Sequence, residues 1–136
     1  MDDLSTALQI SAAGMRAQSG RIKIVAENIA NAGSTAEAPG LAPYRRQVPV
    51  FSSHIDRQLG ARLVEIDRVA LDPSAFTLKF DPSHPSANDE GYVELPNVNP
   101  LVEMMDLREA QRSYEANLGA LDSARSMAAA TLRILE

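Results

Sequence analysis

Near the amino terminus, residues 4–29 read LSTALQISAAGMRAQSGRIKIVAENI. The pattern alternates steps of four and three residues from Leu4 to Ile29, and six of its eight positions are apolar. Hydrophobic residues at this spacing line one side of an α-helix, here called its seam, and are typical of coiled coils. We therefore predict a long amino-terminal helix whose seam forms an assembly interface. Its apolar seam residues are Leu4, Leu8, Met15, Ile22, Val25 and Ile29.

A second seam occupies the carboxyl-terminal residues 104–135. Asn99 is a favourable N-cap, Pro100 suits the first helical position and Glu103 suits the first turn, so a second long helix is predicted to begin there. The positions of its seam are Met104, Leu107, Gln111, Tyr114, Leu118, Leu121, Arg125, Ala128, Leu132 and Leu135. The residues expected to complete the assembly interface are Leu118, Leu121, Leu132 and Leu135.

The middle of the chain differs from both flanks because all eight prolines lie between residues 33 and 100. Proline breaks helix interiors, whereas β-branched and aromatic runs favour strands. We expect a mainly α protein in which two antiparallel long helices, paired like a coiled coil, bracket a short β-rich domain. The expected segments are an amino-terminal helix at 1–32, an insert at 33–97 and a carboxyl-terminal helix at 98–136. One small sheet is expected from strands at Tyr44–Phe51, Leu63–Val69, Phe76–Phe80 and Gly91–Leu95.

Two interpretations of the seams stay open. The helices pack only on each other, or each also has surplus apolar surface that packs against neighbouring copies. A two-helix hairpin has no third layer over its remaining apolar face, so we expect a marginal monomer. Gly14 and Gly20 are small enough to let another helix approach. The polar seam residues expected to influence register and partner choice are Ser11, Gln18, Gln111 and Arg125.

Composition excludes several classes of function. The net charge is −5 with no basic stripe, which argues against nucleic-acid binding, and the absence of cysteine excludes thiolate chemistry. His54 and His84 are 30 residues apart and lack metal-site spacing, while Asp81 and Asp89 are expected to cap turns. We therefore expect no enzymatic activity, no metal, no cofactor and no small-molecule substrate.

The amino terminus is acidic, and the longest uncharged run of the first helix, Leu4–Met15, is polar and short. A secretory signal needs positive charge at its start, and a membrane span needs about 20 apolar residues. We expect a soluble protein, and any export must proceed without a cleaved signal.

Two short motifs flank the insert. The first, NIAN at residues 28–31 followed by Ser34 and Thr35, reads as a helix stop in which Gly33 can adopt a left-handed conformation. The second, GYVELPNVN at residues 91–99, reads as a strand, a turn and a helix cap. Together they resemble the signatures of the bacterial flagellar axial proteins of rod and hook. The matching motif residues are Asn28, Ile29, Ala30, Asn31, Pro96, Asn97, Val98, Asn99, Tyr114, Glu115 and Asn117.

The resemblance, together with the short chain, implies a structural subunit of the proximal rod, the drive shaft of the basal body. In that family the terminal helices assemble around an export channel in a rod that spans the periplasm and transmits torque. The implied partners are other copies of the chain, other rod proteins, the membrane-embedded ring with its adaptor, and the flagellar type III export apparatus. Export would then need no cleaved signal peptide. The alternatives are a free-standing coiled-coil adaptor and another axial protein of the same family.

Overall fold

The computed structural model describes residues 2–136. Two long helices flank four β-strands, which confirms the predicted mainly α fold with a small β insert. The elements in chain order are α1 (Asp2–Ala30), β1 (Gln47–Asp56), β2 (Ala61–Leu71), β3 (Thr77–Phe80), β4 (Tyr92–Leu95) and α2 (Pro100–Leu135). Within the described residues, neither helix combines the length and apolar character that a membrane crossing requires.

The end of α1 is held by side chains. The Asn31 side-chain amide donates a hydrogen bond of 2.9 Å to the Glu27 carbonyl, and the Ser34 hydroxyl donates one of 2.9 Å to the Asn31 carbonyl. These bonds satisfy carbonyl groups that a helix end leaves without partners. The expectation for Gly33 was wrong, because the glycines with positive φ are Gly40, Gly60 and Gly91.

The start of α2 agrees with the prediction. Pro100 is its first residue, and the Asn99 side-chain oxygen accepts a hydrogen bond of 3.1 Å from the Leu101 backbone N–H. The Asn99 carbonyl accepts a bond of 3.0 Å from the backbone N–H of Glu103. Asn99 is therefore the N-cap of α2.

The four strands form two separate two-stranded sheets, β1–β2 and β3–β4, so the expectation of one small sheet was wrong. Strands β3 and β4 are antiparallel, with registers from Thr77 opposite Leu95 to Phe80 opposite Tyr92. Gly91 precedes β4 with a φ of 86°, a conformation that side chains with a Cβ rarely adopt. The side-chain oxygen of Asn88 accepts hydrogen bonds of 3.0 and 2.9 Å from the backbone N–H groups of Glu90 and Tyr92, which closes the loop.

The chain divides into two compact units, and each combines parts of both helices with part of the insert. The first comprises Met1–Ile22, Pro49–Arg68 and Arg108–Glu136, and the second comprises Lys23–Val48 and Val69–Leu107.

In the first unit, α1 packs on strand β2 through small residues. Ala13 and Ala17 are buried, and a Cβ built on Gly20 would lie 2.6 Å from Cδ1 of Ile66. The space beside Gly20 is therefore occupied by a side chain of strand β2. The small size of Gly20 had instead suggested the close approach of another helix. Strand β2 therefore covers part of α1 within this unit.

The same unit brings α1 against α2. A Cβ built on Gly14 would lie 2.6 Å from the side-chain oxygen of Asn117, so only glycine leaves room for this amide. Seven residues further along α1, the Arg21 guanidinium lies 3.4 Å from the Glu109 carboxylate. Positions on α2 fall as positions on α1 rise, so these two contacts describe antiparallel neighbours.

Candidate assembly surfaces and a buried polar junction

A buried amide lies at the centre of the second unit. The Asn28 side chain is fully buried, and its NH2 group donates hydrogen bonds to the Gln47 carbonyl at 2.8 Å and to Glu103 Oε2 at 3.2 Å. Its oxygen accepts hydrogen bonds from the Tyr44 hydroxyl at 2.8 Å and from the Gln47 backbone N–H at 2.9 Å. All four hydrogen-bonding positions of the amide are therefore used. One side chain of α1 thus joins the start of β1 to α2.

A buried carboxylate completes this arrangement. Glu103 is fully buried, its Oε1 accepts a hydrogen bond from Nε of Arg46, and the Arg46 guanidinium lies 3.4 Å from the Asp72 carboxylate. Burial lowers the pKa of Arg46, but hydrogen bonds and charges from Glu103 and Asp72 outweigh it and hold that pKa above its ordinary value. The Arg46 guanidinium therefore stays charged between the two carboxyl groups.

The turn that follows β2 is hydrogen-bonded to residues around the same ion pair. The Asn97 side chain accepts a 2.8 Å hydrogen bond from the Arg46 backbone N–H and donates to the carbonyls of Asp72 at 3.0 Å and Ser74 at 3.1 Å. Hydrogen bonds from Ser74 lower the pKa of Asp72, with Arg46 contributing. Arg45 donates to the same two carbonyls at 2.8 and 2.9 Å. We call Asn28, Tyr44, Arg46, Gln47, Asp72, Asn97 and Glu103 the junction.

The motif residues near the insert divide between the junction and the helix ends. Asn28 and Asn97 belong to the junction, whereas Asn31 and Asn99 cap α1 and α2. Among their apolar neighbours, Pro96 is fully buried, Ile29 and Val98 are half-buried and Ala30 is exposed.

The remaining motif residues lie on α2. Asn117 packs against Gly14 and donates a 2.9 Å hydrogen bond to the Ser113 carbonyl of its own helix. Tyr114 is half-buried, and Glu115 is exposed. The motif residues therefore do not form one site.

Sequence reasoning missed the central charges of the junction. Glu103 fits the pattern of an acid placed in the first turn of a helix, where such residues are normally solvated. Arg46 reads as one of two adjacent surface bases. Only the tertiary contact between them shows that Glu103 is buried against a half-buried Arg46.

On α1 the apolar residues of the predicted seam are buried or half-buried. Val25 is buried, and the half-buried members are Leu4, Leu8, Met15, Ile22 and Ile29. These side chains contribute to the interior of a single subunit. Whether they also reach neighbouring copies stays a prediction.

On α2 only part of the predicted seam lies on the packed face, because Leu107, Tyr114, Leu121 and Ala128 are half-buried and the other seam residues are exposed. Glu103, Ala110 and Ala124 are buried, whereas Met104, Leu118 and Leu132 are 49%, 39% and 52% exposed. Gln111 and Arg125 are exposed as well, so they are absent from the face that packs inward.

We call Leu118 and Leu132, which both lie in the first unit, the outer stripe of α2. These positions are 14 residues apart, which is four helical turns, and so they share one side of the helix. Leu135, also predicted for the interface, is 76% exposed. Leu121 differs from these residues, because it is half-buried beside Met15 and Tyr114.

Both histidine rings lie close to polar groups of neighbouring residues. His54 Nδ1 lies 3.4 Å from the Glu65 carboxylate. His84 Nδ1 accepts a 3.0 Å hydrogen bond from the Ser86 backbone N–H, so in the neutral ring Nε2 carries the proton and donates to the Thr35 hydroxyl at 3.3 Å. Because the His84 ring donates a hydrogen bond to the Thr35 hydroxyl, it is not placed to remove the proton of that hydroxyl. This pair therefore lacks the arrangement of an activated nucleophile.

Comparison with known proteins identifies the family. The family model described as "Flagellar basal body rod FlgEFG protein C-terminal" matches residues 89–134. "Flagellar basal-body rod protein FlgC" of Agrobacterium fabrum is 44% identical over 136 residues, covering 100% of this chain and 98% of that protein. The proteins of the same name from Borreliella burgdorferi and Bacillus subtilis are 36% and 37% identical, over 98% and 93% of this chain and 98% and 95% of their own lengths. The chain belongs to the FlgC family of flagellar basal-body rod proteins.

Proposed function

We propose that this protein is a rod subunit that assembles through the outer stripe of α2 together with exposed parts of α1. The relatives are named as rod proteins of the flagellar basal body, and their similarity extends over nearly the whole chain. Exposed apolar residues repeated along one side of a helix mark surfaces that associate with other helices. The exposure of Leu118 and Leu132 is the observation that carries the proposal.

We further propose that α1 and α2 of one subunit pair as an antiparallel coiled coil. In one unit, support comes from Gly14 against Asn117 and from Arg21 against Glu109. In the other, it comes from the hydrogen bond between Asn28 and Glu103. The three α1 residues in these contacts, Gly14, Arg21 and Asn28, are spaced by seven residues, as in a heptad repeat. In this arrangement the functional segments are the helix at 1–32, the insert at 33–97 and the helix at 98–136.

In the assembled rod, the proposed neighbours are copies of this chain and other rod proteins. The membrane-embedded ring with its adaptor is the proposed partner at the base, and the type III export apparatus delivers the chain without cleavage of a signal peptide. The rod crosses the periplasm, encloses the export channel and transmits torque. Each of these functions is mechanical, so catalysis is not required. The hydrogen bonding of His84 supports a structural role, because that ring orders a loop beside Thr35.

The proposal is tested by placing a charge on the outer stripe. We expect Leu118→Asp and Leu132→Asp to abolish swimming and to leave basal bodies without a complete rod in electron micrographs, because a carboxylate buried between subunits has no partner. The purified variants should keep the helix content of the parent, since both positions are exposed in the subunit.

Ser123→Asp is the matched control. Ser123 is also exposed and lies on α2 roughly 140° around the helix axis from Leu118. It should preserve rods and swimming. Normal rods in both leucine variants would contradict the proposed surface. Intact flagella in a strain that lacks the gene would instead favour the alternative of a free-standing adaptor.

A further inference from the structure

We infer that Asn28 and Glu103 determine the register in which α1 pairs with α2. The two residues are fully buried, and they are hydrogen-bonded to each other at 3.2 Å. This inference concerns a single subunit, and it stands whether or not the outer stripe contacts neighbours.

Apart from Asn117, the inward face of α2 discriminates poorly between registers by shape. Ala110 and Ala124 are buried there, and alanines offer similar surfaces at successive heptads. Asn117 bonds to its own helix through the Ser113 carbonyl, so it needs no partner on α1. Sliding α2 by seven residues would leave the alanine packing little changed, but it would place Asn117 opposite Ala7 or Arg21, where a Cβ occupies the space that Gly14 leaves open. The cross-linking reporters below all replace Asn117, so they measure the contribution of the junction without this second contact.

The same slide would disrupt the junction. Asn28 has four hydrogen bonds, and a shift would separate it from Glu103 while Tyr44 and Gln47 stay joined to β1. Glu103 would lose both Asn28 and Arg46 and would become a buried carboxylate without its partners. Buried polar groups without partners are costly, and a single buried polar pair is known to select register in helix assemblies.

Cysteine cross-linking can report the register, since the chain contains no cysteine of its own. The native register is reported by Gly14→Cys with Asn117→Cys, because these positions are in contact. Shifted registers are reported by Gly14→Cys paired with Ala110→Cys or with Ala124→Cys, seven residues to either side. The shifted reporters also carry Asn117→Ala, so that no amide crowds the new cysteine. Disulfide-linked peptides are quantified by mass spectrometry after mild oxidation.

In the otherwise unchanged protein, we expect the 14–117 disulfide to form and the two shifted disulfides to stay rare. Replacing both junction residues with apolar side chains, Asn28→Leu with Glu103→Met, should raise the shifted disulfides at least about tenfold, because apolar groups of similar size keep the burial without the selectivity. Glu103→Gln is the matched control. It preserves shape and a hydrogen-bond acceptor and should keep the native pattern.

Three outcomes would overturn the inference. One is a cross-link pattern in the double variant Asn28→Leu with Glu103→Met that matches the unchanged protein. Another is the absence of the 14–117 disulfide in the unchanged protein. The third is loss of helix by circular dichroism in the double variant and also in Glu103→Met alone, because the junction would then serve stability without selecting a register.

Discussion

Gly14 occupies an interior position of α1, where alanine is the better helix former by about 1 kcal/mol. The contact with Asn117 reverses that preference, because an added methyl group would lie 2.6 Å from the amide oxygen. Overpacking costs about 1–3 kcal/mol. We predict that Gly14→Ala lowers the free energy of unfolding by about 1 kcal/mol, measured by urea denaturation. The double variant Gly14→Ala with Asn117→Ala should recover the loss.

Gly20 provides the comparison within the same helix. Its close neighbour is Cδ1 of Ile66, the end of a flexible side chain that can rotate aside. Gly20→Ala should therefore leave the free energy of unfolding unchanged or raise it by up to about 1 kcal/mol. Equal destabilisation by both substitutions would show that the contact between Gly14 and Asn117 does not limit the approach of α2.

Tyr44 should titrate above the ordinary tyrosine value of 10.0, because burial raises its pKa and the carboxylates of Glu27 and Glu103 add to the effect. The folded protein holds this proton more tightly than the unfolded chain does. Its contribution to stability is therefore complete below the unfolded pKa and is lost as the pH rises through the folded pKa. The difference in tyrosinate absorbance between the parent and Tyr44→Phe should have its midpoint above 10.0. A midpoint at or below that value would contradict the buried position of the phenol.

At the scale of the elements, both helices follow from the sequence because proline-free heptad patterns are long and strongly periodic. On α1 the role of the seam as an assembly interface stays a prediction, and within the subunit Val25 is buried while Leu8 and Met15 are half-buried. On α2 the predicted seam passes through Gln111 and Arg125, which are exposed, whereas the adjacent residues Ala110 and Ala124 are buried. Hydrophobic periodicity predicts that a helix forms. It does not predict which of two adjacent stripes is buried when one stripe consists of small residues, because that depends on the surface against which the helix packs.

The first strand illustrates a second limit. Tyr44–Phe51 was expected as a strand, but β1 begins at Gln47 and continues to Asp56. The Tyr44 hydroxyl donates a hydrogen bond to the Asn28 side chain, and the Arg46 backbone N–H donates one to the Asn97 side chain. Both residues lie before the first residue of β1. A β-rich composition does not reveal which backbone groups are bonded to distant side chains.

At the scale of the whole molecule, the sequence motifs indicate the family but do not predict how their residues are arranged in the fold. Asn28 and Asn97 are 69 positions apart, and both contribute to the junction. Their partners Arg46, Asp72 and Glu103 come from three further segments, and no local pattern connects them. The burial of Glu103 depends on these distant segments, which explains why the sequence alone indicates only a helix start at this position.

The outer stripe connects the subunit to its proposed assembly, so it is the feature to examine in the native rod. A cryo-electron-microscopy map of basal bodies that contain this protein would test it most directly. We predict that Leu118 and Leu132 each lie within about 4.5 Å of apolar side chains from a neighbouring subunit. Solvent around both leucines, or a rod without this chain, would contradict the account.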